Sequence, residues 1–244
     1  MAKGKGRGGP RGDYYKKVLQ EQSSDLIALW RLNELGGTVC GDMSKEGNNG
    51  AYGATSLGNA LGPDRHICPL FDGLTSYLNI YSAAFNTDFL ETAGTIAGWA
   101  KVASAAVWAD STVRRVITLA ADADNYIAIE KTATANQLGF HYSAGTPVLD
   151  SVTDSTTIGA SVDWFHVAFT WSVAGDAIFA YINGAQAGTA TALGTWSGAL
   201  ASTTAVIGSS STTAADVWSG WLSNIAVWKV ALSASEIARL ANLY

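Results

Sequence analysis

The sequence predicts an all-β chain folded as a two-sheet antiparallel sandwich, and three observations carry that prediction. Asp163-Trp-Phe-His-Val-Ala-Phe-Thr-Trp171 alternates two sets of side chains: Phe165, Val167, Phe169 and Trp171 on one face, Trp164, His166, Ala168 and Thr170 on the other. Ala177–Gly184 follows at once, with Ile178, Ala180 and Ile182 opposite Phe179 and Tyr181. Its closing Asn183-Gly184 supplies the left-handed backbone angles of a tight hairpin. Short segments bounded by turn residues recur through the first two-thirds of the chain with no helical period between them, which is the sandwich pattern.

Taken in order, the first twelve residues are rich in Gly, Lys and Arg and bury too little apolar area to offset their chain entropy. Tyr14–Gln22 is expected to form a short helix on a partner. Leu26–Leu32 reads as the first strand; Gly36-Gly37 and the polar run Gly41–Gly50 read as loops. Ser76–Tyr81, Gly94–Val102, Arg114–Ala120, Asn125–Lys131 and Gln137–Tyr142 are the next strands, and Thr204–Ser209 and Gly220–Val230 the last. Ser233 and Glu236 form a capping box at the start of one C-terminal helix, in which Ile237, Leu240, Ala241 and Tyr244 fall on a docking stripe.

A chain of 244 residues can bury a full sandwich core as one domain, and 9 Trp, 9 Tyr and 7 Phe supply bulky filling. No run of about 20 apolar residues is present, so no membrane span is predicted. The basic N-terminus has no apolar stretch behind it, so no signal peptide is read. Cys40 and Cys68 would form one disulfide under oxidising conditions; with no export signal read, two free, mostly buried thiols are the expectation.

Charge divides the chain. Residues 1–22 carry six basic groups (Lys3, Lys5, Arg7, Arg11, Lys16, Lys17) and two acidic ones (Asp13, Glu21). That leaves nine of the fifteen basic and eighteen of the twenty acidic residues for the remainder, so the arm is +4 and the body −9. A basic arm on an acidic body suggests a tether to a separate acidic surface, and the body itself repels phosphate. The expected organisation is an arm, 1–22, and one domain, 23–244.

Several stretches resemble, in order, a laminin-G-like or concanavalin-A-like jelly roll: Ile27–Glu34, the Asp42…Asn48-Asn-Gly50 turn, Leu70-Phe-Asp-Gly73, Tyr77–Ile80, Trp99-Ala-Lys101, Trp164–Ala168, Tyr181-Ile-Asn-Gly184, Ile207-Gly208, Gly220–Leu222 and Val227-Trp228 leading to Ala231–Ile237. The resemblance covers about residues 25–244. It implies two stacked antiparallel sheets, one of them concave, and it fixes no ligand, because fold is not function.

Glycosidases on this fold set closely spaced carboxylates across one sugar bond. No such cluster occurs here; Glu91 and Glu130 stand alone, and no catalytic residue is assigned. His66, His141 and His166 have no metal-binding spacing, and His166 reads as a structural histidine. Gly4-x-Gly6-x-x-Gly9 matches a dinucleotide fingerprint only literally, since it follows no strand. Asp122, Asp124 and Asn125 gather oxygen ligands in one loop, a calcium candidate set against an ordinary Asx-rich turn. Trp108, Trp196 and Trp218 lie in turn-rich stretches, where exposed indoles would stack on sugar rings or else plug the sandwich ends.

The functional expectation is a non-enzymatic virion protein, a bacteriophage capsid decoration protein displayed on the particle surface. Lys3, Lys5, Arg7, Arg11, Lys16 and Lys17 would make charge contacts with a capsid partner, Tyr14 and Tyr15 would anchor it, and a homo-oligomer would suit the lattice. The alternatives are a lectin module, calcium-assisted or not, and a divergent glycoside hydrolase.

Overall fold

The computed structural model describes residues 13–145 and 149–242. Lys3, Lys5, Arg7 and Arg11 of the arm, and Tyr244 of the helical stripe, lie outside the described residues. The strands in chain order are β1 (Leu26–Trp30), β2 (Val39–Cys40), β3 (Gly50–Gly53), β4 (Ser56–Leu61), β5 (Ile67–Asp72), β6 (Tyr77–Asn79), β7 (Ala93–Val102), β8 (Arg114–Ala120), β9 (Asn125–Lys131), β10 (Leu138–Ala144), β11 (Leu149–Asp154), β12 (Phe165–Ser172), β13 (Ala177–Ile182), β14 (Ala185–Thr191), β15 (Ala205–Ile207) and β16 (Ser219–Trp228). Among the described residues four short helices interrupt or flank them: α1 (Tyr14–Gln20), α2 (Ala83–Asp88), α3 (Ala105–Ala109) and α4 (Ala234–Ala241).

The described strands form two antiparallel sheets stacked as a jelly-roll sandwich. The first runs β14-β13-β12-β7-β16-β5-β4 with β1 paired to β16; the second runs β11-β10-β9-β8-β15-β6-β3-β2. Hairpin chemistry sets the register where the sequence placed it. Asn183 and Gly184 take φ of 52° and 82°, and β13 and β14 pair directly across them.

Alternation along β12 creates two apolar layers rather than one. Phe165, Val167, Phe169 and Trp171 face the second sheet and join Trp30, Phe71, Phe140 and Tyr142 in the main core. The opposite face of the same sheet carries Trp99, Ala168, Tyr181 and Trp228, and these too are buried. They are covered by Tyr14 and Val18 of α1 and by Ile237 and Leu240 of α4. The predicted capping box holds α4: Ser233 Oγ accepts from the Glu236 amide and Glu236 Oε2 accepts from the Ser233 amide.

This arrangement corrects the expectation for the near end of the arm. Tyr14 is not a free anchor for a partner; it is fully buried in its own domain, where its hydroxyl meets His166 Nε2 at 3.0 Å and its ring packs edge-on against Trp99. An apolar outer sheet face needs cover, and α1 supplies it. Burial pushes the His166 imidazole down to about 3, so it stays neutral under the helix. Tyr15 lies against the Arg31 guanidinium, 4.3 Å from ring centre to Cζ. Lys16 pairs with Asp13 of its own helix end, and Lys17 donates to the Arg239 and Asn242 carbonyls at the end of α4. Arg239 returns an ion pair to Glu21 at 2.8 Å, so the two helices are clasped to each other as well as to the sheet.

Cys40 and Cys68 are free and buried, as the sequence suggested, and burial pushes the Cys68 thiol up to about 12. Among the described residues no helix is long and apolar enough to cross a membrane.

Candidate functional site

The second sheet leaves its outer face without a helical cover, and its register decides what stands there. Directly opposed residues form a row across all eight strands: Ser151, His141, Ala128, Thr118, Val206, Asn79, Ala51 and Val39. Most are small, so the few large side chains beside them dominate the surface. Arg115 lies opposite Glu130, and Tyr126 lies opposite Ala120 on the same face.

Those residues form a connected group. Arg115 Nη1 sits 2.8 Å from Glu130 Oε2, and His141 Nε2 sits 3.2 Å from Glu130 Oε1. The Arg115 guanidinium also lies 5.7 Å from the Tyr126 ring centre, within cation–π range. Burial raises the Tyr126 phenol above its ordinary value, so it stays protonated and remains a hydrogen-bond donor.

Beside this group opens a cleft of about 530 Å³. Arg115, Thr118 and Tyr126 line its sheet side, the Ala120–Ala123 turn one flank, and Ala201, Thr203, Thr204 and Ser210 the other. Among the described residues the walls are mostly alanine methyls and hydroxyls, with one aromatic ring, one guanidinium and the Asp122 carboxylate.

A second cleft, of about 370 Å³, lies at the end of the sandwich between α2 and the Trp196–Leu200 segment. Asn86, Thr87, Phe89, Glu91 and Trp196 line it. Trp196 is half-buried, packed against Phe89 and Tyr142, and its indole N–H donates to the Gly198 carbonyl. The segment from Trp196 to Thr204 is the ridge between the two clefts. Its first half lines one and its second half the other.

The three tryptophans singled out in the sequence therefore separate. Trp196 lines a cleft. Trp108 and Trp218 are fully buried core residues, with their indole N–H groups given to the Ser161 and Lys101 carbonyls, so neither can stack on a ligand. Turn-rich flanks made them look exposed, but contacts from distant parts of the chain enclose them. Trp164 and Trp221, on the outer face of the first sheet, are the other half-buried indoles, and each is tied to the β4 edge through Leu61 O or Asn59 Oδ1.

The loop of Asp122, Asp124 and Asn125 is a closed Asx turn. Asp122 Oδ1 accepts from the Asp124 and Asn125 amides and from Asn125 Nδ2, while Asn125 Oδ1 accepts from the Ser197 amide. The oxygens proposed for calcium are largely committed to shaping the cleft wall, and among the described residues no group of three or more His, Cys, Asp or Glu is placed to hold a metal ion. Arg115, Tyr126, Glu130 and His141 were not assembled from the sequence. They come from three strands, and only cross-strand register brings them together.

Solved structures with the same architecture include the receptor-binding domain of the botulinum neurotoxin mosaic serotype C/D, with a TM-score of 0.70 at 12% identity over 90% of this chain and 51% of that one. The binding domain of botulinum neurotoxin DC matches in its complex with SialylT (TM-score 0.63, 16% identity, 91% of this chain and 52% of that one). It matches also in its complex with rat synaptotagmin II (TM-score 0.64, 15% identity, 91% and 52%). This chain spans about half the length of those domains, and at such identities the likeness is one of fold. A search of curated proteins found no match. Residues 71–238 match the sequence profile of the concanavalin A-like lectin/glucanases superfamily, so the chain belongs to that superfamily, as its two-sheet jelly roll would lead one to expect.

Proposed function

We propose that this chain is a non-enzymatic, lectin-like head that binds glycans through the two clefts flanking the Trp196–Thr204 ridge. The observation that carries the reading is the make-up of the ridge and its flanks: aromatic rings on both sides (Trp196 with Phe89 behind it, and Tyr126), beside hydroxyls, an amide, a guanidinium and the carboxylates of Glu91 and Asp122. Sugars present apolar ring faces and a rim of hydroxyls, which match stacking rings and paired donors and acceptors. The carboxylates near the wider cleft are engaged, Glu130 by Arg115 and His141 and Asp122 by its turn, which favours binding over hydrolysis. Jelly-roll neighbours captured with SialylT and with synaptotagmin II support a recognition role for this architecture.

The test is a glycan array with the intact chain, followed by titration calorimetry on any hit. Trp196→Ala or Tyr126→Ala is expected to weaken binding about tenfold, the loss of roughly 1.4 kcal/mol of stacking. An array without hits, with or without calcium, would rule the lectin reading out.

The charge division supports a second reading, attachment of the head to an acidic virion surface through Lys3, Lys5, Arg7 and Arg11. Co-sedimentation with particles should compare the full chain with one beginning at Asp13, because α1 belongs to the folded body. Equal pelleting of the two would remove the arm from the explanation.

A further inference from the structure

We propose that Glu130 sets the ligand class of the wider cleft, restricting it to uncharged, hydroxyl-bearing glycans and excluding acidic ones. The inference rests on the lectin reading and deepens it. Among the described residues Arg115 is the one cation lining this cleft, and an arginine in a sugar site ordinarily invites a carboxylate or sulfate, whose geometry matches its fork. Here that invitation is already answered. Glu130 is 6% exposed and places Oε2 2.8 Å from Arg115 Nη1, a close ion pair that neutralises the guanidinium without hydrogen-bond geometry, and Arg115 Nε and Nη1 are closed off from solvent with no other partner.

The pair is built in rather than incidental. Arg115 and Glu130 are directly opposed on β8 and β9, so the sheet register fixes them; His141 from β10 holds the other oxygen of Glu130, and Tyr126 lies beside the guanidinium. Asp122 adds a further carboxylate to the cleft wall. An anionic ligand would have to compete with the buried Glu130 for the Arg115 charge and approach Asp122, and a like charge brought close to a carboxylate is repelled. A neutral sugar meets no such barrier. Its hydroxyls can donate to the hydroxyl oxygens of Thr204 and Ser210, whose own protons go to the Ala120 and Ala215 carbonyls, and pair with Thr203, while Tyr126 offers a ring face and a phenolic donor.

The experiment is a paired array of neutral and acidic glycans, among them cellohexaose, maltohexaose, sialyllactose and polygalacturonate, probed with the intact protein and with Glu130→Gln, whose folding is checked by thermal unfolding. The wild type is expected to bind neutral members only, with affinity changing less than twofold between 20 and 500 mM salt (ligand charge is what makes affinity salt-sensitive). Glu130→Gln keeps the side-chain shape, frees the Arg115 charge, and is expected to gain at least tenfold for acidic members. Wild-type binding to acidic glycans, or a steep fall with salt, overturns the role of Glu130 while leaving the lectin reading intact. No binding to any glycan overturns both. A folded Glu130→Gln with no gain for acidic members overturns the role of Glu130 as well, and where that variant fails to fold the wild-type array and salt series can still overturn it.

Discussion

Tyr14→Ala is expected to destabilise the protein by about 3–5 kcal/mol, the range for removing a large buried aromatic side chain. Tyr14 is fully enclosed between Trp99 and His166, so truncation leaves a cavity where α1 meets the first sheet. Tyr14→Phe separates packing from polarity. The ring stays, but His166 loses the hydroxyl it meets at 3.0 Å, and an unpaired buried polar atom costs about 1–3 kcal/mol. Urea denaturation of the three proteins measures both effects. If Tyr14→Ala unfolds within about 0.5 kcal/mol of the wild type, α1 is not part of the folded body. A chain starting at Ser23 would lack α1 and expose Trp99, Trp228 and Leu240 together.

Gly220→Ala is the second large effect, on the order of 4 kcal/mol or outright failure to fold, which is the tail of the mutational distribution reserved for identifiable clashes. Gly220 sits at the start of β16, between Phe71 of β5 and Val102 of β7, with φ of +144°. A Cβ there would lie 2.0 Å from the Lys101 carbonyl oxygen and 2.8 Å from the Val102 Cα, both backbone atoms of a central strand that cannot swing away. Gly36 is the control: a Cβ there meets nothing within 4 Å, and Gly36→Ala is expected to stay within about 0.5 kcal/mol of the wild type. Parallel thermal melts of the two variants settle the contrast, and a well-folded Gly220→Ala would mean that β7 and β16 are less closely paired than described here.

How far the sequence could be read depended on local chemistry. Arg114–Ala120 and Asn125–Lys131 were legible to the residue because an Asx-rich turn separates two alternating runs. The capping box likewise announced α4. By contrast β4 and β5 were missed: Ser56–Leu61 is an uncharged edge strand containing Gly58 with φ of 65°, and Ile67–Asp72 carries Pro69. Strand β14, Ala185–Thr191, is built of small residues with no apolar alternation to detect. The helix over Tyr14–Gln20 was foreseen, but not that its partner is its own sheet. Recognising that requires seeing that both faces of β12 are apolar and that one lies outside the sandwich. The site was less legible still. Trp196 was singled out together with two core tryptophans, because flanking turns look alike whether or not distant strands close over them. Arg115, Glu130 and His141 are ordinary strand residues until register aligns them.

One consequence follows from the clasp between α1 and α4. Both helices lie on the outer face of the first sheet, so the described chain enters and leaves its body on that side, whereas Arg115 and Tyr126 stand on the outer face of the second sheet. The molecule thus has a back and a front. The helices and the wider cleft occupy opposite faces, a polarity dictated by where two short helices found an apolar surface to cover.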